Sequence, residues 1–174
     1  MPDELPETPP AKPRRSPFRR LVLLALFALT LPFNWGERSS CQGGPRTFTG
    51  IELFTERPDN GISIAVLVLT PVVLGLLQPR IRNAVAGLLT EFASMLFASL
   101  GTMFCFVNAV FSSGFAPSSD RVYPAPWIAT LISLLTVVDA GQGAVERIRD
   151  IVAERKRLRE AALNDEPAKP SPEP

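Results

Sequence analysis

Apolar residues gather in four runs along this chain, and nearly all charge lies in the tails and short segments between them. The first run, Leu21 to Phe33 (LVLLALFALTLPF), follows the basic group Arg14, Arg15, Arg19 and Arg20. Its 13 residues fall short of the roughly 20 that cross a hydrocarbon core of about 30 Å. Phe18 with snorkelling Arg19 and Arg20 at one end, and Trp35 at the other, are expected to extend it to a span over 19–35. A basic segment followed by an apolar one is also the composition of a secretory signal. The stretch Pro32 to Arg38 offers no small-x-small cleavage site, and Arg38 stands three residues before Cys41, where a lipid would attach. A retained helix is therefore expected, with cleavage and lipid attachment as the alternatives.

The second run, Ile62 to Leu77, carries no charge, and its sixteen residues are too many for one strand. Asp59-Asn60-Gly61 supplies capping side chains, Pro79 a stop and Pro71 a kink, predicting a span over 61–78. The third run, 84–111, is 28 residues with a single ionisable side chain, Glu91. As a helix it is about 42 Å long, enough to cross with tilt. The fourth begins at Pro126-Trp127 and predicts a span over 125–140, with the rings of Tyr123 and Trp127 at headgroup level. Beyond it, 141–163 predicts a cytoplasmic amphipathic helix along the membrane surface or against a partner, with Ala144, Ile148, Ile151, Leu158 and Ala162 near one face. The Pro-rich, charged ends 1–17 and 164–174 predict disordered tails. The fold expected is an all-α integral membrane protein: a four-transmembrane-helix bundle (18–140) with outer loops 36–60 and 112–124. In the first loop Gly43-Gly44-Pro45 reads as a turn and Thr47 to Phe54 as a short strand or interfacial segment.

The distribution of basic residues orients this bundle. Four spans place both termini on one side, and 14 of the 18 Lys+Arg then fall on that side, against Arg38, Arg46, Arg57 and Arg121 opposite. Cationic loops stay in the cytoplasm, so both termini are expected inside, in a cell inner membrane. Net charge of +1 gives no footprint for nucleic acid. The absence of His removes Ser-His and Cys-His nucleophile pairs and His-ligated metals, and two Cys cannot build a four-cysteine zinc site. No phosphate loop or nucleophile–base pair occurs, so neither an enzyme nor a cofactor is expected. Cys41 and Cys105 are expected as free thiols, and Glu37, Glu52 and Glu56 as solvated surface acids.

A basic start, an apolar run closing in Leu31-Pro32-Phe33, then Ser40-Cys41-Gln42-Gly43-Gly44 and Thr49-Gly50-Ile51-Glu52-Leu53, resembles the opening of certain uncharacterised bacterial multi-span membrane proteins. The resemblance covers roughly residues 20 to 54. It implies a bacterial inner-membrane setting and assigns no chemistry.

Helical spacing in the third run isolates one face. Ala84, Gly87, Glu91, Ser94, Ala98, Gly101, Cys105 and Asn108 recur at steps of three and four, and each is small or polar. The fourth run carries a matching stripe, Ala129, Ser133, Thr136, Ala140 and Gly143. Helices in lipid associate through close approach along small residues, so the two faces are expected to pack antiparallel as a seam. Asn108 is expected to bond across it. Glu91 lies on that face about two turns from the cytoplasmic end, with Thr136 and Asp139 of the fourth span as candidate partners at similar depth. Intramembrane acids line cavities or ion routes, or pair with other groups. Glu91 and Asp139 are thus the candidate intramembrane ionisable residues. The function expected is structural, assembly or accessory, with the bilayer and a second copy or another membrane protein as partners. The alternative is a subunit of an oligomeric transporter or channel coupled through Glu91.

Overall fold

The computed structural model describes residues 18–40, 43–55, 58–81, 83–114 and 123–164. Five helices and one hairpin follow in order: α1 (Phe18–Ala28), β1 (Asn34–Ser40), β2 (Gly43–Thr49), α2 (Gly50–Thr55), α3 (Pro58–Leu77), α4 (Ala84–Gly114) and α5 (Pro124–Asn164), with a single 3-10 turn at Gln78–Arg80. The fold is predominantly helical. Three of the helical segments, Gly61–Arg80, Ala84–Phe111 and Pro124–Ala162, are long and apolar enough to cross a membrane.

The first run departs from its expected span over 19–35. Its helix has 11 residues, about 16 Å, and stops at Ala28. Pro32 explains the stop, because its ring disfavours helical backbone at Leu31. Residues 34–49 form an antiparallel hairpin instead, with Asn34 opposite Thr49 and Glu37 opposite Thr47. Gly43 to Pro45 begin β2 rather than forming the expected turn, and of the expected strand or interfacial segment Thr47 to Phe54 only Thr47 to Thr49 are extended, Gly50 opening α2; residues 41, 42, 56 and 57, Cys41 among them, lie outside those described. Thr49 and Glu52 cap α2 reciprocally: the Thr49 N–H donates to Glu52 Oε2 at 2.8 Å and the Glu52 N–H to Thr49 Oγ1 at 3.3 Å. Glu52 is a helix cap rather than a free surface acid.

The other helices start where their sequence provides for it. Pro58 and Pro124 open α3 and α5, at positions whose N–H would lack a helical partner anyway. Asn83 caps α4, its Oδ1 accepting from the N–H groups of Val85 (2.9 Å) and Ala86 (3.3 Å). α3 runs through Pro71 and ends at Leu77, two residues before Pro79. α5 is one 41-residue helix, so the expected span 125–140 and cytoplasmic helix 141–163 are a single element. The step in polarity near Ala140 does not break the backbone. The tails 1–17 and 165–174 and the loop 115–122 lie outside the described residues.

α4 is the centre of the bundle. Its widest interface is with α5 and the next with α3, while α1 lies across α3 and α5. α4 and α5 run antiparallel: an added Cβ at Gly87 would lie 3.2 Å from the Arg147 guanidinium carbon, one at Gly141 3.8 Å from Met95 Sδ, and Cys105 Sγ sits 4.0 Å from Ser133 Oγ. Ser94, Ala98, Cys105, Ala109, Ala129, Ser133, Ala140 and Ala144 are all buried along this line. Asn108 does not bond across it; its amide donates to the Phe104 carbonyl of its own helix at 2.8 Å. Where α1 ends, the Trp35 ring is 1% exposed, edge-on to Phe27, with its N–H on the Thr30 carbonyl at 2.9 Å. Trp35 is a core side chain, not an interfacial anchor.

The seam separates tolerated from disruptive changes. A methyl group at Gly101 or Gly141 would make its nearest contact at 3.8 Å, an ordinary packing distance. Gly101→Ala and Gly141→Ala are therefore expected to leave the protein as stable or up to about 1 kcal/mol more stable through helix propensity. Ala129→Leu and Ala140→Leu, at fully buried positions, are expected to cost about 1–3 kcal/mol by overpacking. Thermal unfolding of the four purified variants checks the ordering.

Candidate functional site

The buried face of α1 carries Arg20, in phase with Leu23 and Phe27, while Arg19 is exposed. Arg20 does not snorkel to the end of the bundle; it is 6% exposed and turned inward. Its guanidinium donates four hydrogen bonds. Nη2 reaches Glu91 Oε2 on α4 at 2.6 Å, and Nε reaches Asp139 Oδ2 on α5 at 2.9 Å. Nη1 reaches the Pro71 carbonyl on α3 at 3.2 Å and Ser94 Oγ on α4 at 3.1 Å. Ser94 in turn donates its hydroxyl to the Pro71 carbonyl at 3.3 Å. One planar cation thus ties together four helices, using the fixed fork of donors that distinguishes Arg from Lys.

Glu91 is 2% exposed, and its second oxygen accepts from the Gln78 side-chain amide at the end of α3. Both carboxylate oxygens are engaged, and among the described residues no buried side-chain nitrogen or oxygen lacks a partner. Room for the cluster comes from two glycines. A Cβ at Gly75 would lie 2.6 Å from Arg20 Cδ, and a Cβ at Gly143 would lie 2.6 Å from Glu91 Oε1. Neither gap is a matter of backbone angle; each is space that a side chain on the neighbouring helix occupies.

The structure brings Glu91 and Asp139 to one level, but joined through Arg20. Thr136 stands apart from the pair, its hydroxyl bonding the Ile132 carbonyl of its own helix at 3.1 Å. Gly87 lies one turn below Glu91, beneath the Arg147 guanidinium, and Gly101 faces Leu67 of α3. Cys105 is a free thiol. At the opposite end of the bundle, Tyr123 is buried with its hydroxyl donating to Glu37, so Glu37 also has a structural partner. Arg20, Pro71, Gly75 and Gln78 are the members of this site that the spacing of α4 and α5 alone does not reveal.

The cluster can hold a helix in place and keep charge out of an apolar surround; its donors and acceptors are turned on one another. Beside it, Leu23, Phe27, Pro71, Gly101 and Ser133 line a partly open cleft of about 20 Å³, room for about one water molecule. No protein-family model matches this chain, and neither a curated protein nor a solved structure does.

Removing one partner of such a cluster leaves an uncompensated buried charge. Arg20→Met is expected to destabilise the protein by about 3–5 kcal/mol. The triple variant Arg20→Met, Glu91→Gln, Asp139→Asn is expected to recover most of that loss, because no charge then remains unpaired. Gly143→Ala, which keeps every charge but pushes a methyl group into the Glu91 carboxylate, is expected to destabilise as well. Chemical denaturation midpoints of the three variants test the assignment.

Proposed function

We propose that this chain is an integral membrane protein of structural, assembly or accessory type, and not an enzyme. In this reading α3, α4 and α5 cross the bilayer. α1 and the turn after it form a fourth, shorter membrane-embedded segment in the groove beside them. The observation that carries the reading is the inverted distribution of side chains. Leu89, Leu96, Met103, Phe111, Leu131 and Val73 are among the many large apolar residues at least half or nearly half exposed, while Arg20 and Glu91 are inside. Monomeric water-soluble proteins rarely expose contiguous apolar patches larger than a few hundred Å². Hydrocarbon around the helices removes that cost and favours the internal pairing of the charges.

Orientation follows from the basic residues. Arg19, Arg80, Arg147 and the charged end of α5 share one end of the bundle, which the positive-inside rule assigns to the cytoplasmic side; the resemblance of residues 20 to 54 to bacterial multi-span membrane proteins supports an inner membrane. The hairpin, Tyr123 and the exposed ring of Trp127 then lie toward the outside. The saturation of Glu91 by Arg20 and Gln78 supports a structural role for this acid over ion or proton coupling.

Two measurements test the proposal. The protein is expected to stay with the membrane pellet through an alkaline carbonate wash, and to enter solution only with detergent. Proton and ion flux in liposomes is expected to be the same with and without the chain, and unchanged by Glu91→Gln. Flux that depends on Glu91 would replace the structural role with coupling in an oligomer, and recovery in the carbonate supernatant would overturn the membrane assignment.

A further inference from the structure

We infer that the end of α5 is a dimerisation element: residues 148–162 pair with the same segment of a second copy as a parallel, two-stranded coiled coil. The inference rests on the membrane reading above, which places two copies with their α5 helices pointing the same way.

The first observation is that α5 outruns its own bundle. Arg147 lies over Gly87, one turn from the start of α4 at Ala84. From Val152 to Ala162 every side chain is exposed, although the helix continues without a break. The segment expected to lie along the membrane surface or against a partner is the unbroken continuation of the spanning helix. In the membrane reading, a helix that continues unbroken from its spanning part leads away from the bilayer.

The second observation is a heptad. Ile148, Ile151, Arg155, Leu158 and Ala162 follow at steps of three, four, three and four, the alternation of a and d positions. Ile148 is 43% and Leu158 65% exposed, with Val152 beside them. The outward b, c and f positions are charged apart from Ala153, and two of them, Lys156 and Glu160, pair along the helix surface at 3.8 Å.

The third observation selects the occupant. In a parallel pair, Glu154 at g faces Arg159 at e of the partner helix, and it also flanks Arg155 at a of that helix, so the two Arg155 side chains, which meet each other across the a layer, each have a carboxylate of the other copy beside them. A second copy of this segment therefore supplies the charges that its own edges require. Two heptads are too short to hold free helices together in water, but two copies in one bilayer meet at high effective concentration.

The test uses the full chain in membranes, with Cys41→Ser and Cys105→Ser as background. Single cysteines are placed at Ile151 and Leu158, and for comparison at Ala153, Lys156 and Glu160. Mild oxidation is expected to give a disulfide-linked dimer from positions 151 and 158 but not from 153, 156 or 160. Glu154→Lys is expected to reduce the Leu158→Cys product severalfold. Crosslinking without this phase dependence, its absence at all five positions, or adducts only with a protein of different mass would overturn the inference. A carbonate wash of the same samples reads membrane residence separately. If the chain is released by the wash, the membrane reading fails while the crosslinking pattern still decides the pairing.

Discussion

The position of α1 depends first on a single cation placed almost out of reach of water. Removing a guanidinium from water costs several kcal/mol, and only close, well-oriented partners offset that. Arg20 has four such bonds, from three other helices, at 2.6 to 3.2 Å. This arrangement explains how an 11-residue helix holds its place among helices two to four times its length. Near its start, where Phe18 and Arg19 are exposed, α1 is fixed by the bonds of Arg20 to the Glu91 and Asp139 carboxylates. The outer end is fixed differently, by Trp35 on the Thr30 carbonyl and by the N–H groups of Gly50 and Ile51 on the Phe33 and Leu31 carbonyls. The same backbone that Pro32 withdraws from the helix thus satisfies the start of α2.

Other features of the bundle answer to this cluster. Gly75 and Gly143 are the positions where α3 and α5 give up a side chain so that Arg20 and Glu91 have volume to occupy. Pro71 remains within α3, and its carbonyl accepts from two side chains at once. Along the rest of the α4–α5 seam, where no charge intervenes, small residues bring the helices together by shape alone. Ala98, Ala109, Ala129 and Ala140 have almost no exposed surface.

Much of this was legible in the sequence, for physical reasons that also mark where legibility ends. The helical phase of α4 isolated Glu91 and its small neighbours because a stripe at steps of three and four has one geometric meaning. Asp139 could be placed near Glu91 because antiparallel helices of similar rise align depth with residue number. Arg20 escaped because a basic residue beside an apolar run reads as a flank, and its neighbour Arg19 is one. The discriminating signal was phase: Arg20 shares a face with Leu23 and Phe27, Arg19 with Val22 and Leu26. The end of α1 was encoded in Pro32, but the shortage of apolar length invited extension across it. The hairpin left no alternation to read, since NWGERSS and GGPRTFT lack a regular apolar face. The continuity of α5 was hidden by composition, because polarity changes at Ala140 and two poor helix formers, Gly141 and Gly143, follow at once.

The one cation and two carboxylates also set a direction for the whole fold. Both acids lie on helices that meet along their small-residue faces, and without Arg20 each would lose its ion-pair partner there. A bundle of α3, α4 and α5 alone would therefore be electrostatically incomplete, and α1 is the element that completes it. Arg20 gains its partners only when α3, α4 and α5 are already in register, since its four acceptors are spread over all three. The cluster thus favours the one arrangement in which Pro71, Ser94, Glu91 and Asp139 stand at a common depth. A slip of α5 by one turn along α4 would move Asp139 by about 5.4 Å, beyond reach of the guanidinium, and would replace Gly143 beside Glu91 with Arg147 or Asp139. Register is specified here by charge and by the absence of a side chain, while the apolar contacts around it would tolerate several alternatives.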